Sequence, residues 1–426
     1  MMKDLIVSIE RNGEMVQTGT ISGTGVSDAR FQYSAGYLQS PDACSLSISL
    51  PLQEQPFSPV QTANYFEGLL PEGFTRRSVA QWMRVDEGDY LSILHGLGRE
   101  CLGAVSITEP GEEVQASYER VTEEQVRQLA SEGALKSAEL VTRSHLSLTG
   151  ASGKVGLYYD EPKNTWYLPR GTAPSTHIVK QSHIRLDAIV TNEQLCLLTA
   201  RRCGITVPDS FIINTGDGSD GEVLFATERY DRVFPAVPKM IGDIPCPRRL
   251  HQEDFAQAMG VPSAAKYERE SGHYMQDMFD ILRRYSSDPI ADQLTLWDII
   301  VFDYLIGNTD AHIKNFSLLH SPDMKQVRLA PAYDIISTTI YEQSTRDMAF
   351  RIGGEINIDD ITTDSFRMAA EQVGLGRRMA MKRFDEMREF FRPALLQSAE
   401  ELVAAGYSKA SEIAEQILCS GGIAKY

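Results

Sequence analysis

The sequence has no Cys-x-x-Cys pair among its six cysteines. Cys44, Cys101, Cys196, Cys203, Cys246 and Cys419 are scattered, with Cys196 and Cys203 inside a helical pattern. That spacing excludes the common zinc motifs and a disulfide framework, and it points to a reducing compartment. Long apolar runs are missing too: nothing approaches the ~18–20 residues of a membrane span. The opening residues, MMKDLIVSIERNG, carry charge where a secretion signal needs an apolar core. A cytoplasmic protein with no membrane association is expected. Basic charge is in short supply: 41 Lys and Arg face 58 Asp and Glu, for a formal charge of −17. An acidic surface repels phosphate backbones, so direct nucleic-acid binding is not expected to be the main role. It suits a basic protein partner, although many acidic surfaces have none. There is no internal repeat and no low-complexity segment.

What is present is an ordinary globular composition, 42% hydrophobic over 426 residues, enough for two or three domains. Leu5–Ile9 and Val16–Ile21 read as strands joined by Asn12-Gly13, a hairpin signal. Leu46–Leu50 alternates and reads as another strand, closed by Pro51. Residues 61–82 and 86–97 read as helices, and Gly103–Ile107 as a strand. Residues 108–120 contain Pro110-Gly111 and read as a linker. Thr122 and Gln125 then have capping-box spacing at the start of a helix.

Residues 144–230 return to strands: Lys154–Tyr159, Thr165–Leu168, Thr176–Lys180, Phe211–Asn214 and Glu222–Thr227. One helix interrupts them, from about Asn192 to Cys203, with Gly204 as its C-terminal cap. From about residue 250 the pattern is mainly helical. Met275, Met278, Phe279 and Leu282 recur at helical spacing, Leu294–Ile306 is a strongly apolar helix, and Ala380, Phe384, Met387 and Phe391 mark a late helix expected to end near Pro393. The Met and aromatic stripes read as core. The predicted fold is α+β and protein-kinase-like: a bilobal pair of strand-rich N-lobe and helical C-lobe, with an added N-terminal α+β subdomain. The boundaries are 1–115 for the subdomain, 116–235 for the strand-rich ATP-binding lobe and 236–426 for the helical catalytic lobe.

Candidate chemistry follows the same order. Phosphoryl transfer needs phosphates held, metal held and the nucleophile placed. Asp310 and Asn315 stand at the five-position interval of a kinase catalytic loop, as proton acceptor and Mg²⁺ ligand, with Lys314 beside them to neutralise phosphoryl charge. Asp334, nineteen residues after Asn315 at the end of an apolar segment, fits a second metal ligand. Lys180 ends a β-branched strand as a phosphate-binding lysine does, and Glu193 falls where a helix glutamate would orient that lysine. Ser147–Lys154 holds two glycines before a strand and resembles a phosphate-cradling turn, though it is neither GxGxxG nor a Walker motif. Each feature alone has a plain structural alternative: a capping Asp, a solvated lysine, a glycine turn. Together they occur once each in kinase order.

The same residues resemble the HipA family of bacterial toxin kinases. The resemblance is carried by Ser47–Leu52 (SISLPL), Tyr65–Gly73 (YFEGLLPEG), Gly98–Val105 (GRECLGAV), Ser147–Lys154, Thr176–Lys180, Asn192-Glu193, Glu228–Arg232 (ERYDR), Gln252–Asp254, Asp310–Asn315 and Tyr333–Ser337. It implies a Mg²⁺- and ATP-dependent serine/threonine protein kinase. Thr149, Gly150, Ala151, Ser152, Gly153 and Lys154 would cover the phosphates, with Lys180 beneath them. Glu228, Arg229 and Tyr230 would lie at the adenine hinge, and His312 and Asn315 would line the site beside Tyr333 and Asp334. It also implies autophosphorylation at Ser147 that silences the enzyme, which fits the added negative charge beside a phosphate site. The implied substrate is an aminoacyl-tRNA synthetase, glutamyl-tRNA synthetase first. The implied partner is a helix-turn-helix, HipB-like antitoxin, with DNA reached only through it. Ser152-Gly153 departs from the family's pattern in the loop. A kinase-fold binding module acting as corepressor is the alternative from another functional class.

Overall fold

The computed structural model describes residues 4–112, 114–133, 137, 140–141, 153–182 and 186–426. The chain forms two compact units, each drawn from separate stretches. The first comprises Met1–Gln181, Ala226–Ser263 and Leu319–Gln326; the second comprises Ser182–Phe225, Ala264–Leu318 and Val327–Tyr426.

The first unit opens with the expected hairpin. Strands β1 (Leu5–Arg11) and β2 (Glu14–Ser22) pair antiparallel across Asn12 and Gly13. Both turn residues have positive φ, 52° and 85°, the geometry that matches the twist of paired strands. With β3 (Arg30–Tyr33) and β4 (Val105–Thr108) they make a sheet of order β3-β2-β1-β4. Helices α1 (Pro59–Phe66), α2 (Gly73–Met83) and α3 (Tyr90–Leu97) follow β3 in the chain. Phe31, Phe57 and Phe66 are fully buried, and Phe31 meets Phe66 at 5.4 Å between centroids. The single helix expected over 61–82 is therefore two helices, split at Leu70-Pro71, because Pro71 lacks the N–H that would continue it.

Leu46–Leu50 is a turn and not the expected strand. Leu46 and Leu50 are buried, but so is Ser47, whose polar group is met elsewhere: the Glu253 carboxylate accepts from Ser47 Oγ and from the Ile48 N–H at 3.2 Å. After β5 (Ser117–Arg120), Thr122 caps α4 (Glu123–Glu132) with Gln125 completing the box. Then β6 (Lys154–Asp160), β7 (Thr165–Arg170) and β8 (His177–Gln181) form a sheet of order β5-β7-β6-β8, with the strand that ends at Glu228 next to β8.

The second unit is mainly helical. Its elements are α5 (Ile189–Arg202), β9 (Ser210–Asn214), α6 (Tyr274–Tyr285), α7 (Pro289–Ile306), β10 (Asp347–Ile352), α8 (Thr363–Gln372), α9 (Arg377–Ala404) and α10 (Lys409–Ser420). Helix α7 is the core. From Leu296 to Ile306 only Asp298 is not fully buried, and Trp297 Nε1 donates to the Ala380 carbonyl of α9 at 3.0 Å. The Met275–Leu282 stripe of α6 is buried, as expected for core. The late helix does not stop at Pro393 but runs on to Ala404. Residues beyond the proline, Leu395, Ala399 and Leu402, bury the same face as Phe384 and Phe391, and this packing outweighs the lost hydrogen bond. Among the described residues no helix is long and apolar enough to cross a membrane. All six cysteines are free.

Candidate functional site

Helix α7 ends at Gly307, whose φ of 78° turns the chain into the loop carrying Asp310. The turn is fixed from inside. Asn308 donates from its N–H and from Nδ2 to the carbonyl and carboxyl of Asp303, at 2.8 and 2.9 Å. Burial pushes the Asp303 carboxyl up to about 7, only partly offset by that Asn308 hydrogen bond.

The loop then closes on itself. The Asp310 carbonyl accepts from the His312 N–H at 2.7 Å and from Asn315 Nδ2 at 3.1 Å, and the Asn315 N–H returns to the His312 carbonyl at 2.7 Å. The sequence interval between Asp310 and Asn315 is thus a contact in space. Asp310 is exposed, Asn315 is half-buried, and His312 and Lys314 are buried between them in the chain.

The segment bearing Asp334 lies against this loop. The Tyr333 hydroxyl donates to the Lys314 carbonyl at 2.9 Å and accepts from Ser317 Oγ at 2.6 Å. The Ala330 N–H reaches the Ser317 carbonyl at 2.8 Å. Asp334 itself has φ of 56°, in the left-handed region that a non-glycine residue enters only when its surroundings hold it there. Just beyond, Ser337 is clamped by Asn192 of α5: Nδ2 donates to its carbonyl at 2.9 Å and Oδ1 accepts its N–H at 3.1 Å. Thr338 and Thr339 both donate backbone N–H groups to the Gly307 carbonyl. Asp310, His312, Lys314, Asn315, Tyr333 and Asp334 are therefore held together by one hydrogen-bonded frame within the second unit. Glu193, next to Asn192, is also buried, at 3% exposure.

Asn192 carried only a resemblance, and its clamp on Ser337 spans 145 positions. Tyr267 carried no signal; it donates its hydroxyl to Asp310.

In the first unit, Lys154 and Lys180 are directly opposite each other in the antiparallel pair β6–β8. Directly opposed residues project from the same face of a sheet, and like charges so placed repel. Gly153 precedes β6, while Ser147, Thr149, Gly150, Ala151 and Ser152 lie outside the described residues. Glu228 is exposed, and the Tyr230 hydroxyl meets Gln252 Oε1. The Arg229 side chain is wholly buried and serves another purpose: it bridges Glu100 and Asp231, at 3.1 and 2.8 Å. Any contact it makes with a nucleotide is left to its backbone.

Known proteins similar to this chain fall in one family. A family model described as the HipA-like C-terminal domain matches residues 146–394, and one for the HipA N-terminal domain matches residues 12–108. Y4mE of Sinorhizobium fredii, named only provisionally as a kinase, is 32% identical over 384 residues, covering 88% of this chain and 87% of that protein. The serine/threonine-protein kinase toxin HipA of Shewanella oneidensis is 26% identical over 330 residues, covering 74% of this chain and 72% of that one. A solved structure of the Shewanella HipA, in a complex with HipB and its operator DNA, superposes with a TM-score of 0.80 at 22% identity, over 99% of this chain and 97% of that one.

Proposed function

Because the chain belongs to the HipA family, we propose that it is a Mg²⁺- and ATP-dependent serine/threonine protein kinase that acts as a toxin. The observation that carries this reading is the closed loop from Asp310 to Asn315 with Asp334 tied beside it through Tyr333. In it Asp310 accepts the proton of the acceptor hydroxyl. Lys314 meets charge on the transferring phosphoryl group.

Asn315 and Asp334 offer an amide oxygen and a carboxylate. These hard donors fit Mg²⁺, which takes few protein ligands and completes its shell with water and phosphate oxygens. The ion, when bound, supplies neutralisation of phosphate charge. Lys154 and Lys180 take the phosphates, whose negative charge offsets the repulsion built into their cross-strand pairing. Glu193 keeps the lysine-orienting role expected from its position after the Lys180 strand. The stretch Thr149–Gly153 covers the phosphates, and Glu228–Tyr230 faces the adenine. The division at residues 115 and 235 into subdomain, ATP-binding lobe and catalytic lobe belongs to the same proposal.

The substrate is proposed to be an aminoacyl-tRNA synthetase, glutamyl-tRNA synthetase first, and the silencing event autophosphorylation of Ser147. The partner is a HipB-like antitoxin, a class supported by the Shewanella complex with HipB and operator DNA. The test is transfer of labelled phosphate from ATP by the purified full-length chain, with Asp310→Asn and Ser147→Ala variants alongside. Loss of the base should cost about 10²–10⁴-fold in rate. Full transfer by Asp310→Asn would refute the assignment, and label retained on Ser147→Ala at wild-type level would refute Ser147 as the main acceptor.

A further inference from the structure

Tyr267 reaches the Asp310 loop, and no motif accounts for it. Its hydroxyl donates to Asp310 Oδ1 at 2.5 Å, and its ring meets the His312 ring edge-on at 5.3 Å between centroids. It therefore touches the loop at both the carboxylate and the residue two positions on.

The backbone that carries Tyr267 is anchored. Glu268 follows it and is buried, with 2% of its side chain exposed. Its carboxylate accepts the N–H groups of Tyr274 and Arg351, each at 2.8 Å, and pairs with the Arg351 guanidinium at 3.2 Å. Its own N–H donates to the Ala349 carbonyl of β10 at 2.8 Å. The Tyr274 hydroxyl closes the segment onto the Ala265 carbonyl at 2.6 Å. The reach of Tyr267 is thus set by contacts to α6 and β10, although the residue is 45% exposed.

A general base must stand within hydrogen-bond reach of the proton it takes, and a donor bonded to its carboxylate restricts the directions that carboxylate can face. We infer that Tyr267 is a positioning residue for the phosphoryl transfer, its hydroxyl fixing the orientation of the Asp310 carboxylate. This rests on the reading of Asp310 as the base. In the step, the acceptor hydroxyl gives its proton to Asp310 and its oxygen bonds the γ-phosphorus of ATP. The bond from that phosphorus to the bridging oxygen breaks, and ADP leaves with the electron pair. Tyr267 neither gains nor loses a proton. An anchored tyrosine suits this role better than that of a plug the acceptor must displace, because its segment is tied on both sides.

The test compares full-length wild type, Tyr267→Phe, Asp310→Asn and the double variant. Each is assayed for transfer from labelled Mg-ATP to casein, with kcat and the KM for ATP measured separately and thermal melting recorded. Phenylalanine keeps the ring against His312 and removes only the donor. Tyr267→Phe should melt with wild type, lose about tenfold in kcat, as expected for one hydrogen bond to a charged group, and keep its KM for ATP. In the Asp310→Asn background the same change should alter the residual rate less than about twofold, since coupled residues are not additive. An unchanged or faster Tyr267→Phe beside a crippled Asp310→Asn would overturn the positioning role alone. An equal fractional loss in both backgrounds would make Tyr267 a merely structural residue. A fully active Asp310→Asn, or a wild type that transfers no phosphate, would overturn the reading of the base on which this rests.

Discussion

Asp231→Asn should destabilise the first unit severely. Asp231 lies in a cluster with Glu100, Arg229 and Arg232, and none of the four side chains is more than 2% exposed. Two guanidiniums face two carboxylates, so the formal charges cancel. Asp231 accepts from Arg229 Nε at 3.0 Å, Arg229 Nη2 at 2.8 Å, the Gly103 N–H at 2.7 Å and Gln252 Nε2 at 3.1 Å. The asparagine is isosteric, but it leaves one uncompensated positive charge in the core and turns an acceptor into a donor facing guanidinium. Removing one member of a buried pair costs about 3–5 kcal/mol. With a urea slope of about 2–3 kcal/mol per molar, the midpoint should fall by more than about 1 M. The assay is urea unfolding at neutral pH, followed by circular dichroism and by fluorescence. Acid provides a second arm. Burial alone would raise the Asp231 carboxyl, but the guanidiniums of Arg229 and Arg232 outweigh it and hold the group well below the usual carboxylate range. A depressed carboxyl contributes stability that is present above about pH 4 and is lost as pH falls through its folded value. The gap between wild type and variant should therefore be widest near neutrality and close in strong acid. A midpoint shift under about 0.3 M, or a gap constant with pH, would refute the reasoning.

Two further outcomes are expected. A Cβ at Gly307 would stand 2.1 Å from Thr339 Oγ1 at a φ of +78°. Gly307→Ala should cost about 1–3 kcal/mol in thermal melting and lower phosphate transfer as well, because the loop to Asp310 begins at this turn. His251 is buried with Nε2 donating to the Leu46 carbonyl at 2.8 Å, and burial, reinforced by the neighbouring His320, lowers it to about 3. It stays neutral in the fold while the unfolded chain protonates it below about 6.5, so stability falls as pH drops. His251→Gln keeps a donor and should lose about 2 kcal/mol less than wild type between pH 6.5 and 5, measured by urea titration at each pH.

Much of the fold was legible where the cause is local. Asn12-Gly13 selects its turn by backbone preference alone, and Thr122 with Gln125 satisfies a helix start within four residues. The misreadings share a different cause. The polar groups of Ser47 and Ile48 are met by Glu253, over two hundred positions away, so an alternating segment did not need a neighbouring strand. Pro393 would end an isolated helix, but Phe391 and Leu395 are fully buried on either side of it, and tertiary packing carries α9 through.

The site divides along the same line. Asp310 and Asn315 were legible because one loop brings them together, and the amide of one bonds the carbonyl of the other. Tyr267 was not, since it reaches Asp310 across 43 positions and owes its place to Glu268 and β10. Asp334 is the instructive intermediate. Its spacing from Asn315 singled it out, but nothing in the sequence foretold its left-handed backbone. That conformation costs an L-residue on the order of 1–2 kcal/mol, which must be offset by its neighbours. They are positioned to do so: Tyr333 is tied to Lys314 and Ser317 on one side, and Ser337 to Asn192 on the other. A residue held at both flanks in a disfavoured conformation has its backbone set by the surrounding protein. The frame that fixes Asp310 and Asn315 therefore also holds the backbone at Asp334, and the Asn192 clamp on Ser337 is part of that frame although the two residues lie 145 positions apart.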